Sequence, residues 1–371
     1  MSEGWYDVVV VGGGIAGASV AIACGRKGMR TLLLDSRTQP IAKPGETLHP
    51  GMERLLHMLG VHRQVDAAKF HRHAGIHVQS KFGSAFEAYG EDRRGAWLGY
   101  QADRLTLEEI FLKHALHCGA CILRGERATH PRVRSASVEG VITQAGSYKA
   151  GFVVDATGHR QWLLRELGKS ALRLSPQLVA HFGWVTTDSR SRRSLRDPEF
   201  RFSGSRWEWI AQIDSRRHAW VSLDLMDRRL AKRPGPPSLL SKGAPSGASG
   251  ACDVTWKIAR PCAGAGYFMV GDAAWVLDPA SSHGVLKAVL SALTASEAIE
   301  EALSNRGRDD QSPARYIAWM EAWFRRDAAA LISAYSRMES SPSWLGAASE
   351  ALRKMEIKPS AHDLSRSFMN S

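Results

Sequence analysis

Residues 7–35 contain Asp7-Val-Val-Val-Val11, then Gly12-Gly13-Gly14-Ile15-Ala16-Gly17, a helix-compatible run to Gly28, and Thr31-Leu-Leu-Leu-Asp35. An apolar, β-branched run without polar alternation is typical of a parallel strand buried on both faces. The run leads directly into G-x-G-x-x-G, the turn that places a pyrophosphate at a helix N-terminus. Asp35 ends the second strand, where a carboxylate accepts hydroxyl groups of an adenosine ribose. This stretch predicts a strand-turn-helix-strand unit that binds a dinucleotide.

Each glycine of the motif has its own predicted part. Gly12 allows the tight turn, Gly14 lets the pyrophosphate approach the backbone, and Gly17 lets the helix pack closely on the strand. The predicted contacts of the dinucleotide also include the neighbours of these residues and of Asp35, namely Ile15, Ala16, Ser36 and Arg37.

Composition narrows the class of protein. Hydrophobic residues make up 44% and charged residues 23% of the 371 residues, which is ordinary for a globular protein. No apolar run reaches the length of a membrane span, and the N-terminus lacks a basic segment before its first strand, so we expect a cytoplasmic protein without membrane contact. The odd number of cysteines, five, does not form a disulfide framework, and Cys118-x-x-Cys121 lacks a second ligand pair, so no metal site is predicted.

The chain is basic, with a net charge of +12 and arginine-rich stretches at 189–196, 216–217 and 228–229. Such an excess concerns association rather than fold. No nucleic-acid module accompanies it, so nucleic acid is not expected. An anionic substrate, a phosphorylated nucleotide, an acidic partner protein or a solvated face remains open.

The hydrophobic periodicity, together with the glycine and proline residues that interrupt it, predicts the remaining helices and strands. Strands are expected over 71–89, 120–124, 152–155 and 267–270, with a hairpin over 133–150 and a second, tryptophan-rich sheet over 172–226. Helices are expected over 51–69, from Arg104 to Ala115, and over 283–303, 312–338 and 343–356. Residues 233–251, rich in Pro, Gly and Ser, are predicted to be a mobile loop.

Four separated motifs now stand in one order: G-x-G-x-x-G at 12–17, Arg104 before a helix, D-A-T-G at 155–158, and Gly271-Asp272 followed by Asp278-Pro279 and Gly284. Together they resemble the FAD-dependent monooxygenase and halogenase superfamily. The resemblance implies an α/β fold with a Rossmann-like FAD-binding domain, an inserted β-sheet substrate layer and C-terminal helices, as in p-hydroxybenzoate hydroxylase and the halogenases. The implied FAD domain combines 1–70, 98–170 and 252–305, the substrate sheet combines 71–97 and 171–251, and 306–371 form the helical region.

The same resemblance assigns cofactor contacts. Asp35 takes the adenosine ribose, Arg104 the pyrophosphate side and Asp272 the ribityl chain, while the helix after Gly284 directs its positive end at the isoalloxazine ring. The remaining implied contacts are Glu46, Asp155, Gly158, Gly271, Pro279 and Val285. FAD is expected to be noncovalent, because no histidine or cysteine stands in a covalent-flavin motif. No second nucleotide motif occurs, so NAD(P)H docking transiently or a separate flavin reductase must supply electrons.

Two stretches resemble one branch of the superfamily in particular. Pro44-Gly-Glu46-Thr-Leu-His49-Pro50 and Asp278-Pro-Ala-Ser-Ser-His283-Gly-Val-Leu-Lys287 are similar to the tryptophan halogenases and to the flavoproteins that mature tryptophylquinone enzymes. Halogenases also carry W-x-W-x-I-P and an essential lysine. Here Trp207-Glu-Trp209-Ile-Ala loses the Ile-Pro, and our alignment puts His73 in place of the lysine, with Lys69 and Lys81 out of register.

These differences favour hydroxylation, because a lysine ammonium holds hypohalous acid and an imidazole does not obviously replace it. We therefore expect a monooxygenase that hydroxylates a peptidyl tryptophan of a partner protein during tryptophylquinone biogenesis. The predicted catalytic residues are Glu46, His49, His73 and His283, and the predicted substrate contacts are Trp207 and Trp209. A tryptophan halogenase, a polyprenyl-type reductase and a non-enzymatic flavin-binding chaperone are the alternatives. The substrate atom, the reductant and the oligomeric state stay open.

Overall fold

The computed structural model describes residues 4–39, 41, 46–187, 197–226, 235–241, 243–247, 249–304 and 311–355, and for Glu46 it describes the backbone alone. The arginine-rich stretches at 189–196 and 228–229 and the chain after residue 355 therefore lie outside the described residues.

The described helices and strands are numbered in chain order. The helices are α1 (Ile15–Arg26), α2 (Met52–Leu59), α3 (His62–Ala67), α4 (Arg104–His117), α5 (Trp162–Glu166), α6 (Gly284–Ser304), α7 (Ser312–Ser336) and α8 (Leu345–Lys354). The strands are β1 (Trp5–Val11), β2 (Thr31–Asp35), β3 (Glu46–Leu48), β4 (His71–His73), β5 (Gly75–Ser80), β6 (Gly83–Ala88), β7 (Glu91–Asp92), β8 (Gly95–Ala96), β9 (Gly99–Ala102), β10 (Cys121–Arg124), β11 (Ala128–Arg134), β12 (Ser137–Thr143), β13 (Ser147–Asp155), β14 (Ala171–Arg173), β15 (Val179–Thr186), β16 (Glu199–Ser203), β17 (Arg206–Gln212), β18 (Arg217–Asp224), β19 (Ala244–Pro245), β20 (Gly250–Asp253), β21 (Lys257–Ala259), β22 (Ala263–Gly264), β23 (Tyr267–Met269) and β24 (Trp275–Val276).

The first sheet has a parallel centre in the order β10-β2-β1-β13, with β23 parallel to the end of β13. Residues 8–11 of β1 and all residues of β2 are buried, as the uninterrupted apolar runs predict. Helices α1 and α6 pack together over this sheet. Because Val11 pairs with Asp155 and Asp155 pairs with Met269, the parallel strands end at one common edge. The predicted α/β, Rossmann-like class is confirmed.

Residues 147–155 form one continuous strand, which corrects the prediction of a hairpin over 133–150 followed by a separate strand over 152–155. Its first residues pair antiparallel with β12, and from Lys149 onward it pairs parallel with β1. Residues on both sides of Gly151 pair with β1, so the extended backbone continues through it.

The helix predicted over 51–69 is divided into α2 and α3. Gly60 ends α2 with a left-handed backbone, φ +79°, and its N–H donates to the carbonyl oxygen of His57. Glycine at this point is the usual end of a helix, since other residues are strained there.

The second sheet runs β19-β15-β18-β17-β16-β5-β6, and β20 also pairs with β15. It thus joins strands from 75–88 to strands from 179–253. Part of the predicted loop 233–251 belongs to this sheet, because its described residues supply β19 and the start of β20. A smaller sheet, β3-β9-β4, connects the loop before α2 to the second sheet.

The helical predictions near the C-terminus agree with α6, α7 and the described part of α8. Helix α7 packs against both α6 and α8. Within the described residues, no helix combines the length and apolar character that a membrane crossing requires.

Candidate functional site

Three motifs separated in sequence meet at the common edge of the first sheet. A Cβ atom added at Gly12, whose φ is +114°, would clash with the carbonyl oxygen of Ala156. A Cβ at Gly17 would clash with the carbonyl oxygen of Gly12, and one at Gly271 would lie 3.0 Å from the Cβ of Ala16. Glycine is required where these segments touch, as the sequence predicts for Gly12 and Gly17.

Gly14 differs from its neighbours because no atom lies within 4 Å of the position that its Cβ would take. It precedes α1 with an extended backbone, no side chain caps the helix, and the first turn carries no acidic residue. Amide groups without intrahelical partners and the positive end of the helix dipole therefore face open space. These features fit a pyrophosphate, which is the group that the motif predicts here.

Asp35 ends β2 beside Gly13 and is paired within the protein. Its Oδ1 lies 3.1 Å from both the backbone N and Nε of Arg37, and its Oδ2 lies 3.0 Å from Arg37 Nη2. Arg37 Nη1 also donates to the buried Glu108, 3.1 Å away, and Arg104 Nε donates to the other oxygen of Glu108 at 2.9 Å. Glu108 therefore holds both predicted cofactor arginines at this edge. Ser36 lies exposed between Asp35 and Arg37.

The Asp155 side chain forms hydrogen bonds within the protein, next to the predicted cofactor site. It is fully buried, and its two oxygens accept hydrogen bonds from the backbone N–H groups of Thr157 and Leu163, each at 2.8 Å. The pKa of Asp155 is raised by burial, against these hydrogen bonds. The carboxylate thereby shapes the turn that carries Gly158, whose left-handed backbone (φ +71°) faces open space.

Asp272 follows Gly271 and forms an ion pair with a buried lysine. Lys287 Nζ lies 2.6 Å from Asp272 Oδ1 and 2.7 Å from the carbonyl oxygen of Trp275, and it stands 4.1 Å above the Trp275 ring. The Lys287 side chain is 6% exposed, whereas that of Asp272 is 49% exposed. Desolvation opposes ionisation, but Lys287 and, more weakly, Arg104 lower the pKa of Asp272. The site thus presents a fixed, ionised carboxylate that can accept a ribityl hydroxyl.

The segment from Asp278 to Gly284 leads into α6. Asp278 is fully buried and accepts hydrogen bonds from Trp256 Nε1 at 2.8 Å and from Tyr335 OH at 2.6 Å. These contacts fix the turn that contains the exposed Pro279. Gly284 begins α6 with open space around it, and the following Val285 is buried.

His49, His73 and His283 come together, although they lie in three separate parts of the sequence. The Tyr89 ring bridges two of them, with its centroid 5.2 Å from the His49 ring and 5.5 Å from the His73 ring. On the other side, a charge on His283 contributes to lowering the pKa of His49, after the larger effect of desolvation. His283 Nδ1 lies 2.8 Å from Asp327 Oδ2. We call these five residues the histidine cluster.

His73 is buried at 2% exposure on β4. Its Nδ1 lies 3.0 Å from the carbonyl oxygen of Gly75, which can only accept, so Nδ1 carries the proton. Burial lowers the pKa of His73, and this effect exceeds the opposing effect of the Gly75 carbonyl. The position that the halogenase resemblance assigns to a lysine therefore holds a neutral imidazole.

The two predicted substrate tryptophans differ. Trp207 is completely buried and stacks on Phe200 with ring centroids 5.1 Å apart, so it is a core residue and its predicted contact with substrate is wrong. Trp209 is half-buried, and its Nε1 donates to Thr47 Oγ1 at 3.2 Å. It thus joins the second sheet to β3, where the backbone of Glu46 pairs with that of Ala102.

Sequence reasoning did not identify four residues of the site: Tyr89, Glu108, Lys287 and Asp327. Two of them had local signals, because Glu108 follows Arg104 by one helical turn and Lys287 lies one turn into α6. Tyr89 and Asp327 come from elements without a motif, and only the tertiary fold brings them to the histidines.

Comparisons with known proteins agree with this architecture. A family described as FAD binding domain matches residues 5–234, so the chain belongs to the FAD-binding domain family. A 1H-pyrrole-2-carbonyl-[peptidyl-carrier protein] brominase of Pseudoalteromonas luteoviolacea is 24% identical over 337 residues, 83% of this chain and 80% of the relative. A menaquinone reductase of Mycobacterium tuberculosis is 27% identical over 303 residues, 75% and 72% of the two chains. The structure of a flavin-dependent brominase superposes with a TM-score of 0.75 at 22% identity, covering 89% of this chain and 87% of the other.

The fold and these relatives define the class. The protein is an FAD-dependent oxidoreductase of the superfamily that contains the flavin monooxygenases and halogenases. The predicted cofactor and the predicted superfamily are confirmed, while the individual cofactor contacts and the tryptophylquinone branch remain predictions.

Proposed function

We propose that this protein hydroxylates an aromatic ring with reduced FAD and dioxygen, and that the ring is the indole of a tryptophan in a partner polypeptide. The observation that carries the proposal is the neutral, buried His73 at the place where the resemblance expects a lysine ammonium. Hydroxylation has no need of a residue that holds hypohalous acid. Lys69 and Lys81 are exposed, and neither belongs to the histidine cluster.

The chain would hold FAD through Gly14 and the first amides of α1, through Asp35 and Arg104, and through Asp272. When reduced and bound there, FAD supplies the electrons that activate dioxygen. We infer that the protein contributes water exclusion and proton handling, since the buried His73 ring packs against the half-buried Tyr89 ring and His283 is partly exposed.

A polypeptide substrate is supported by charge and by similarity. The net charge of +12 favours an acidic partner over a small neutral one. The brominase relative is named for a pyrrole carried by a peptidyl-carrier protein, so presentation of an aromatic ring by a protein occurs in this family. The proposed tryptophylquinone context rests on the sequence resemblance alone.

Halogenation is the second candidate, and the comparisons favour it, because several relatives are named as halogenases. Both reactions replace a ring proton and consume reduced FAD and dioxygen. They differ in the atom that the product gains, which makes the product mass decisive.

The test is turnover of the FAD-loaded protein with NADH and a separate flavin reductase, under labelled dioxygen, with bromide present and a tryptophan-containing acidic peptide as the probe. We expect a peptide that carries labelled oxygen and no bromine. Bromination that is lost in Lys69→Ala or Lys81→Ala would overturn the proposal in favour of the halogenase. Substrate-dependent oxidation of reduced FAD without dioxygen, with menaquinone as the probe, would instead favour a reductase.

A further inference from the structure

His283 stands at the start of α6 with a carboxylate behind its ring. The Asp327 side chain, on α7, is 3% exposed, whereas the His283 side chain is 37% exposed. The carboxylate is thus hidden by the protein, while the ring reaches open space. Because an ionised carboxylate only accepts hydrogen bonds, the 2.8 Å contact places the proton on His283 Nδ1. In the neutral ring the lone pair is then on Nε2.

The environment of this ring is the predicted reaction site. His283 directly precedes Gly284, the first residue of α6. Its charge is felt by His49, which packs edge-on against Tyr89. Lys287, one helical turn after His283, donates to Asp272, so the start of α6 lies beside the predicted FAD site.

A second histidine–carboxylate pair, His130 and Glu166, can be compared with the pair of His283 and Asp327. His130 Nδ1 lies 2.8 Å from Glu166 Oε2, the same separation, but His130 is on the edge strand β11 and its side chain is 69% exposed. Glu166 is 27% exposed, about nine times the fraction for Asp327. A surface pair of this kind contributes little. The buried Asp327 carboxylate, in contrast, fixes the ring orientation and stabilises the imidazolium that forms when Nε2 accepts a proton.

We propose that His283 is the catalytic base that removes the ring proton of the substrate, and that Asp327 is the residue that positions it. The proposal rests on the proposed oxidation of an aromatic ring. Dioxygen takes two electrons from reduced FAD and two from the substrate, so that one oxygen atom forms the C–O bond and the other leaves as water. The C–H bond then breaks, its electron pair returns to the ring, and the proton moves to His283 Nε2 and on to solvent. A ring that gained bromine would lose the same proton.

The first measurement is the tautomer of His283, which does not depend on turnover. Nitrogen-15 NMR of the FAD-loaded protein should show the proton of neutral His283 on Nδ1. In Asp327→Asn the signal should move toward the Nε2–H form, because the amide can donate to Nδ1. An unchanged tautomer would overturn the positioning role of Asp327.

The second measurement is product formation from a tryptophan-containing peptide with a normal or a ring-deuterated indole. In the wild type, proton loss should be fast and give no primary isotope effect. In His283→Gln and Asp327→Asn, product formation should fall by about 10- to 100-fold, with a primary isotope effect, while FAD affinity stays unchanged. Glu166→Gln is the matched control and should behave as the wild type.

The outcomes separate the two proposals. Suppose that the wild type forms product and that His283→Gln forms it equally fast without an isotope effect. That result would contradict the role of His283 as the base and would leave the proposed function intact. If the wild type modifies no aromatic ring, both the proposed function and the role of His283 as the base are contradicted. Should Asp327→Asn not fold, His283→Gln, which changes a partly exposed side chain, still decides the identity of the base.

Discussion

Asp272 connects the predicted FAD site to a buried cation, so its replacement has two consequences. Asp272→Ala removes a charged acceptor for a cofactor hydroxyl, a loss of about 1.5–3 kcal/mol in FAD binding, or roughly 10- to 100-fold in Kd. It also leaves the buried Lys287 ammonium with the Trp275 carbonyl oxygen and the Trp275 ring as its remaining partners among the contacts described above. We therefore expect weaker FAD binding together with a lower melting temperature, measured by flavin fluorescence titration and thermal unfolding.

Glu300→Ala is the control for this change. Glu300 lies on the same helix as Lys287, pairs with Lys27 and is 47% exposed, close to the 49% of Asp272. Its removal should leave the Kd for FAD unchanged. Equal Kd values for both variants would show that Asp272 does not contact the cofactor.

Gly12 and Gly14 lie two residues apart, but their replacement is expected to affect the free energy of unfolding differently. Gly14→Val places its side chain in open space, so the FAD-free protein should keep its free energy of unfolding while FAD binding is lost. Gly12→Ala meets a carbonyl oxygen at φ +114° and should destabilise the protein by at least about 1–3 kcal/mol. Urea unfolding and flavin content of the two variants separate a binding defect from a folding defect. A Gly14→Val protein that stays yellow would contradict the assigned pyrophosphate site.

Some residues of the candidate site could be predicted from the sequence, and others could not. The glycines, Asp35, Arg104 and Asp272 could be chosen as candidate FAD contacts because each lies in a short motif whose chemistry is local. Asp327 could not, since nothing in α7 distinguishes it from an ordinary helical acid until the fold places it 2.8 Å from His283. Trp207 was assigned to substrate because of its motif, but Phe200, on the neighbouring strand, covers it.

Whether a segment is a helix or a strand was easier to predict than the residues at which it begins and ends. The apolar runs of β1, β2 and β23 and the long periodic patterns of α6 and α7 match the structure because burial on both faces or on one stripe leaves a clear pattern. The bounds of several elements differ from the predicted ones. The strand predicted over 152–155 is the end of a longer strand that begins at Ser147, and the helix predicted over 51–69 ends at Gly60 and resumes at His62.

The break between α2 and α3 gives a prediction about helix ends. Gly60→Ala should lower the free energy of unfolding by about 1–2 kcal/mol, because an L-residue is strained at φ +79°. The added methyl group also meets Arg26 Nη1 at 3.1 Å and His114 Nε2 at 3.2 Å. Gly346→Ala is the matched control, because Gly346 is exposed in α8 with open space around it and should tolerate or favour alanine. Equal losses in urea unfolding would contradict this explanation.

Taken as one unit, the protein is built so that the nucleotide edge of the first sheet faces the histidine cluster. The small sheet β3-β9-β4 makes the connection, because it carries His73 on β4 and leads from Thr47 to His49 after β3. The α/β, Rossmann-like FAD-binding fold could be predicted by resemblance, whereas the division into an FAD domain, a substrate sheet and a helical region remains a prediction. The role of α7 as the carrier of a site residue could not be predicted, since it depends on how that helix packs on α6.

Burial of histidines couples the stability of the folded protein to pH. Desolvation is the largest cause of the lowered pKa of His73, and it likewise lowers the pKa of His159 and His218 from 6.5. As the pH falls through 6.5, the unfolded chain takes up protons that these folded-state histidines resist. The unfolded state therefore binds more protons, and the free energy of unfolding falls with decreasing pH until the folded-state pKa values are reached.

His73→Asn isolates one part of this dependence, because an amide can still donate to the Gly75 carbonyl oxygen but does not titrate. Urea unfolding with FAD in fixed excess, at pH values from about 8 to about 5.5, should show a loss of stability that is shallower in the variant than in the wild type. Above the unfolded-state pKa the two proteins should differ by a constant amount, since His73 is neutral in both states there. A pH dependence as steep in His73→Asn as in the wild type would mean that folding does not lower the pKa of His73. That result would also remove the main argument against a cation at this position, and with it the preference for hydroxylation over halogenation.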